Sequence, residues 1–192
     1  MILLRAFIAI EIPGEIKKQI AGQTDELRRL VGHSVRWVTP ENIHLTLKFL
    51  GDISSANIGF LAQTLKTEVG QFLPFEICAE SLGAFPNLRR PRVIWIGLNA
   101  PPELQRLQHH LEIATARLGY ASDDKAFSPH LTIGRIRDQL AHGEVQALRD
   151  ALENIKVGPL GKFPVKSVHL FQSELKPGGP IYTCLSTAIL GN

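Results

Sequence analysis

Cysteine is nearly absent: Cys78 and Cys184 are the only two in 192 residues, each isolated in an apolar run. No CxxC pair exists, so zinc-finger and dithiol chemistry lack their ligand set. The expectation is two buried, free thiols in a reducing cytoplasm. No apolar run is long enough to cross a bilayer. The opening MILLRAFIAIEIPGEI is interrupted early by Arg5 and Glu11. It lacks a charged leader and a small-residue cleavage site, so it reads as a strand rather than a signal peptide, and no membrane partner is expected. Dense Lys/Arg runs are also missing. A net charge of +3 and a pI near 9.0 permit an anionic partner without the profile of a dedicated nucleic-acid binder. There is no GxxxxGK[ST] and no GxSxG, which removes the Walker-type nucleotide site and the nucleophile-elbow hydrolase.

What the chain does contain is one four-residue phrase used twice: His44-Leu45-Thr46-Leu47 and His130-Leu131-Thr132-Ile133. Composition alone would give HxT roughly 0.3 times in this chain. Both copies read as strands, in which side chains alternate between faces. Each strand then presents an imidazole and a hydroxyl on one face and two aliphatic anchors on the other.

The flanking pattern also repeats. A strand over 3–12, apolar on both faces and so central, is followed by a helix over 14–31 with Ile16, Ile20, Leu27 and Leu30 on one stripe. A loop with Arg36, Trp37 and Pro40 leads to the first HxT strand, 43–50, and Gly51-Asp52 signals a turn. Ser54 or Ser55 can cap a helix with Ile58, Leu61, Leu65 and Val69 in register, before a strand at 75–85. The pattern then restarts: a strand at 92–98, a helix to about 118 with Leu104, Leu107, Leu111, Ala114 and Leu118 aligned, and a polar loop. The second HxT strand, 129–136, comes next, then a helix over 143–153, a strand near 163–172 and a hairpin to a last strand, 181–189. The chain thus reads as a single bilobal domain over 1–192 with an internal duplication, approximately 3–85 and 92–189. The expected fold is α+β: two pseudo-symmetric lobes, each an antiparallel sheet with helices on its outer face, and an active cleft between them.

Two imidazoles and two hydroxyls suit one kind of chemistry. A neutral imidazole removes a proton from a nucleophile while an imidazolium protonates a leaving oxygen. Threonine hydroxyls donate to non-bridging phosphate oxygens. Zinc needs three or four protein ligands, and no third is phased with these strands, so neither a metal nor another cofactor is expected.

The paired HxTx phrases, with RAFIAIEIP, RWVTPENIHLTLKFLGD, PRVIWIGL, FSPHLTIGR and SELKPGGPIY, resemble the 2H phosphoesterase superfamily, and within it the RNA 2′,3′-cyclic phosphodiesterase (2′-5′ RNA ligase) group. The resemblance covers nearly the whole chain. It implies hydrolysis of RNA terminal 2′,3′-cyclic phosphates, or of cyclic nucleotides, to 2′-phosphomonoesters by a cytoplasmic monomer. It makes His44 the proton donor to the 3′ oxygen and His130 the proton acceptor from water, although the near-equivalence of the two phrases leaves those roles open. Thr46 and Thr132 would hold the phosphate. Arg135 would be a further phosphate contact and Phe49 a base-stacking platform. Both lie five residues after their histidine, on the wrong face of a regular strand, so each requires a bulge. Two alternatives remain: reversible ligation of RNA ends at the same site, and an RNA-end binding module without turnover.

Overall fold

A computed structural model describes residues 3–138 and 140–191. The first strand, β1 (Leu3–Glu11), is apolar on both faces because both faces are covered. Helix α1 (Gly14–Val31) follows, with Ile16, Ile20, Thr24, Leu27 and Val31 buried. Leu30 falls outside this stripe and is exposed, since the 3.6-residue period carries the buried line to Val31. The Arg36-Trp37 loop contains a short strand, β2 (Val35–Trp37), that the sequence reading misses. Next come β3 (His44–Ser54), α2 (Ile58–Val69), β4 (Phe75–Phe85), β5 (Val93–Asn99), α3 (Pro102–Arg117), β6 (His130–Ile136) and α4 (His142–Asn154). The chain ends in β7 (Gly161–Val165), β8 (Ser167–Lys176) and β9 (Gly179–Ile189).

Three expectations need correction. Gly51-Asp52 is not a turn: β3 runs through it to Ser54, pairing Gly51 with Ala6 and Asp52 with Arg5. The positive φ of Gly51 (69°) serves a bulge at Leu50, where the register skips a residue. The strand near 163–172 is two strands, β7 and β8, in different sheets. Leu118 ends α3 half-exposed rather than extending its buried line.

The strands form two antiparallel sheets, ordered β3-β1-β8-β9 and β2-β6-β5-β4-β7. Apart from the added β2, the orders correspond position by position: β3 with β6, β1 with β5, β8 with β4, β9 with β7. The sheets do not follow the halves of the sequence. β4, which closes the first half, pairs with β5; β8, from the second, pairs with β1. Helices α2 and α3 pack together and lie on the first sheet; α1 and α4 pack together, and α1 lies on the second. One apolar core fills the helix side of both sheets, while Phe7, Ala9 and Phe171 form a separate small cluster with Tyr182 on the opposite face of the first sheet. That face belongs to the cleft. Burying each large aliphatic side chain on the helix side contributes about 1.5–3 kcal/mol, which fixes which face of β3 and β6 remains open.

Candidate active site

The HxT phrases sit on β3 and β6, which approach each other where the two sheets meet. In each phrase the leucine is fully buried, whereas the histidine and threonine are half-buried on the open face. This is the alternation expected of a strand with one face in a core.

Both histidines are held in the same way. Nδ1 of His44 lies 2.8 Å from the carbonyl of Asn42, and Nδ1 of His130 lies 2.7 Å from the carbonyl of Ser128. A carbonyl only accepts, so Nδ1 of each ring carries the proton. Nε2 of each ring has no protein hydrogen-bond partner among the described residues, and neither do the hydroxyls of Thr46 and Thr132. The arrangement offers two oriented imidazole nitrogens and two hydroxyls, all free to meet a ligand.

The bulges are present, and they are duplicated. Between β1 and β3 the register jumps from Ile8↔Lys48 to Ala9↔Thr46, leaving Leu47 unopposed. Between β5 and β6 it jumps from Ile94↔Gly134 to Trp95↔Thr132, leaving Ile133 unopposed. The extra residue reverses the alternation beyond it. Lys48, an even step from His44, is turned into the core and only 1% exposed, while Phe49 is 62% exposed. Likewise Gly134 is buried and Arg135 exposed on the side of His130 and Thr132. The two inward positions are filled differently. Lys48 reaches the Glu112 carboxylate on α3 at 2.8 Å and also donates to the carbonyl of Ala121, in the loop leading to β6. At Gly134 there is no room for a side chain: a Cβ would stand 2.6 Å from Val35 and 3.0 Å from Trp37.

The surroundings distinguish the histidines. His44 stacks on Phe7 at 4.8 Å and meets the edge of Tyr182 at 5.1 Å. Burial pushes its pKa down from the usual 6.5; the Asn42 carbonyl opposes this and the Lys17 charge adds to it. His130 packs edge-on against Phe85 at 4.8 Å and lies 6.4 Å from Trp95. Its cross-strand neighbour is Gly97, whereas that of His44 is Glu11. Tyr182 contributes the far wall. Burial raises its phenol pKa, against the opposing charges of Arg135 and Arg5, which brings Arg135 of the second sheet electrostatically within reach of a residue on the first. The hairpin bearing Tyr182 is tied down by Asn42, which donates to the Pro180 carbonyl at 2.9 Å.

The structure thus puts His44, Thr46 and Phe49 on one wall, and His130, Thr132 and Arg135 on the other. Phe7, Phe85, Trp95 and Tyr182 were missed as site residues. Strand parity could have found Phe7, and the closing PGGPIY phrase could have flagged Tyr182. Among the remaining histidines, His169 is buried on β8 between the hydroxyls of Ser167 (3.0 Å) and Thr187 (3.1 Å). The expectation of buried thiols fails. Cys184 is exposed and Cys78 only partly buried, because edge strand β9 leaves its outer positions open; both are free. The recess between α2 and α3, lined by Glu68, His110 and Arg117, opens on the helix side of the first sheet, away from both phrases. No helix among the described residues is long and apolar enough to cross a membrane.

Two antiparallel sheets meeting at twin HxT strands define a phosphoesterase fold, and comparison with known proteins agrees. The family model described as LigT like Phosphoesterase matches the chain twice, over residues 10–95 and 96–182. The chain belongs to this LigT-like (2H) phosphoesterase family and is an enzyme of the RNA 2′,3′-cyclic phosphodiesterase kind. It is 33% identical to the protein named RNA 2′,3′-cyclic phosphodiesterase from Methanothermobacter thermautotrophicus over 180 residues, covering 94% of this chain and 95% of that one. The protein of the same name from Archaeoglobus fulgidus is 36% identical over 179 residues, covering 93% and 96%. The crystal structure of Escherichia coli LigT complexed with 3′-AMP superposes with a TM-score of 0.79 at 27% identity, covering both chains entirely.

Proposed function

We propose that the protein opens 2′,3′-cyclic phosphates at RNA ends by general acid and base catalysis from His44 and His130, without a metal, and acts as a monomer. Water's oxygen bonds to phosphorus as the bond to the 3′ oxygen breaks. The water proton goes to Nε2 of His130, and the departing 3′ oxygen takes one from Nε2 of His44. The products are a 2′-phosphomonoester and a 3′-hydroxyl. Thr46 and Thr132 donate to the non-bridging oxygens, Arg135 balances the developing charge, and Phe49 stacks on the terminal base. The observation that carries this reading is the matched anchoring of the rings: each Nδ1 is fixed on a carbonyl two residues upstream, which leaves two Nε2 atoms for one phosphate. One chain supplies both histidines, so no second copy is needed to complete the pair.

Burial makes His44 a reluctant acid in the free protein. An anionic cyclic phosphate beside it favours the imidazolium, so the substrate itself recruits the proton that its leaving oxygen needs. The test is turnover of a 2′,3′-cyclic nucleotide and of a cyclic-phosphate RNA with and without EDTA, followed by phosphorus NMR. The expected product is the 2′-phosphate at an EDTA-independent rate. A 3′-phosphate overturns the regiochemistry, and loss of activity in EDTA overturns the metal-free mechanism.

A further inference from the structure

β2 is a three-residue strand, and its central residue is an arginine facing an arginine. Arg36 stands directly opposite Arg135 in the antiparallel pairing, so both side chains project from the same face. That face is the one carrying His130 and Thr132, because the bulge at Ile133 turns Arg135 onto it. Both arginines are exposed, and neither makes an ion pair among the described residues. Like charges directly opposite across a strand pair are destabilising. Nothing in the core requires a charge at 36: the flanking Val35 and Trp37 already pack inward against Gly134. A matched guanidinium pair next to a phosphate-handling face is what a second anion would stabilise.

The spacing says which anion. One outward step along a strand is about 7 Å, and paired strands lie about 5 Å apart. An anion held between Arg36 and Arg135 is therefore about one step from a phosphate held at Thr132, a span that one nucleotide of RNA backbone covers. The charge continues in the same direction with Arg137 on the segment after β6. The 86–92 loop, carrying Arg89 and Arg90, emerges at this end of the sheet, because Val93 pairs with Arg135.

We infer that Arg36 and Arg135 form a second phosphate subsite, which takes the phosphodiester on the 5′ side of the terminal nucleotide and so makes the preferred substrate an oligonucleotide rather than a mononucleotide. The inference rests on the activity proposed above. It also gives β2 its purpose, as the strand that carries Arg36 into the cleft and has no counterpart in the order of the first sheet. The RNA leaves the cleft over the second sheet.

The experiment compares kcat/KM for a dinucleotide ending in a 2′,3′-cyclic phosphate with that for the matching nucleoside 2′,3′-cyclic phosphate. Arg36→Gln is expected to lower the dinucleotide-to-mononucleotide ratio about tenfold, the scale of one charged hydrogen-bonding contact. Arg36→Lys, which keeps the charge and loses the fork, should restore it in part. Arg106→Gln removes an equal charge from an exposed Glu103 pair on α3 and should leave the ratio alone. Binding of an unreactive dinucleotide ending in a 2′-phosphate, followed by anisotropy against salt, should lose about 0.7 of its log-log slope in Arg36→Gln. A wild-type ratio near one, an unchanged ratio in Arg36→Gln, or an unchanged salt slope overturns the subsite. If neither substrate turns over but the slope still falls, the subsite stands and the proposed activity fails.

Discussion

At the scale of single residues, the two histidines are anchored alike but surrounded differently. Replacing either His44 or His130 with Ala should lower kcat by about 10²–10⁴, the contribution of one positioned acid or base, with the circular dichroism spectrum unchanged. The pH profile should carry the asymmetry. A proton donor whose pKa is depressed is lost as pH rises through that depressed value, so the alkaline limb of kcat/KM should fall below the ordinary histidine pKa of 6.5. Bound phosphate raises the same pKa, so the alkaline limb of kcat should lie at higher pH than that of kcat/KM. Limbs that coincide would argue against His44 as the acid. Two interacting histidines titrate as a pair, so an NMR titration of the free protein, in which the His44 resonance should move at lower pH than an exposed histidine, is the cleaner measurement.

At the scale of the element, the duplicated bulge decides what each strand shows to the cleft. Gly134→Val should push β2 off β6 at a cost of about 1–3 kcal/mol, read as a lowered urea midpoint. Lys48 allows a sharper contrast. Glu112→Ala leaves a buried ammonium without its carboxylate and should cost about 3–5 kcal/mol, whereas Lys48→Met with Glu112→Leu should be close to neutral in stability. This scale also shows how far the sequence could be read. The two HLT phrases, α1 and most strands follow from periodicity, because a half-buried strand or helix writes its buried face into the chain. His44 and His130 were therefore legible, and so was the need for a bulge before Phe49 and Arg135. The bulge itself was not, because an unopposed residue such as Leu47 or Ile133 is as aliphatic as any core neighbour. Gly51 misled for a related reason: a positive φ serves a bulge as well as a turn. β2 was too short for any period to register, and Arg36 was hidden with it.

At the scale of the molecule, each sheet is closed by a strand from the other half of the chain. Neither half, cut near residue 90, carries a complete sheet, so the separated pieces should be unfolded by circular dichroism and the intact chain should unfold in a single cooperative step. Two resolved transitions would contradict that. Stability should also depend on pH through the sheet that holds His44 and His169. Burial depresses both pKa values; the Asn42 carbonyl opposes this at His44, where Lys17 adds to it, and Glu11 opposes it at His169. A base with a depressed folded pKa binds protons more readily when unfolded. Stability is therefore full above about 6.5 and declines as pH falls through and below it. His169→Asn should remove part of that decline in urea midpoints measured between pH 7.5 and 5.

A bulge of one residue acts on a strand as a frameshift acts on a message: everything downstream is read in the other phase. The two frames here are not interchangeable. Deleting Leu47 would return the first strand to strict alternation, delivering the Lys48 ammonium to the cleft and the Phe49 ring to the interior, both of which suit their new surroundings. Deleting Ile133 would turn Gly134 outward and drive the Arg135 guanidinium into an apolar core with no carboxylate waiting. The first deletion should yield a folded protein with altered substrate preference, and the second a protein that does not fold. The same local geometry is thus expendable in one wall of the cleft and obligatory in the other.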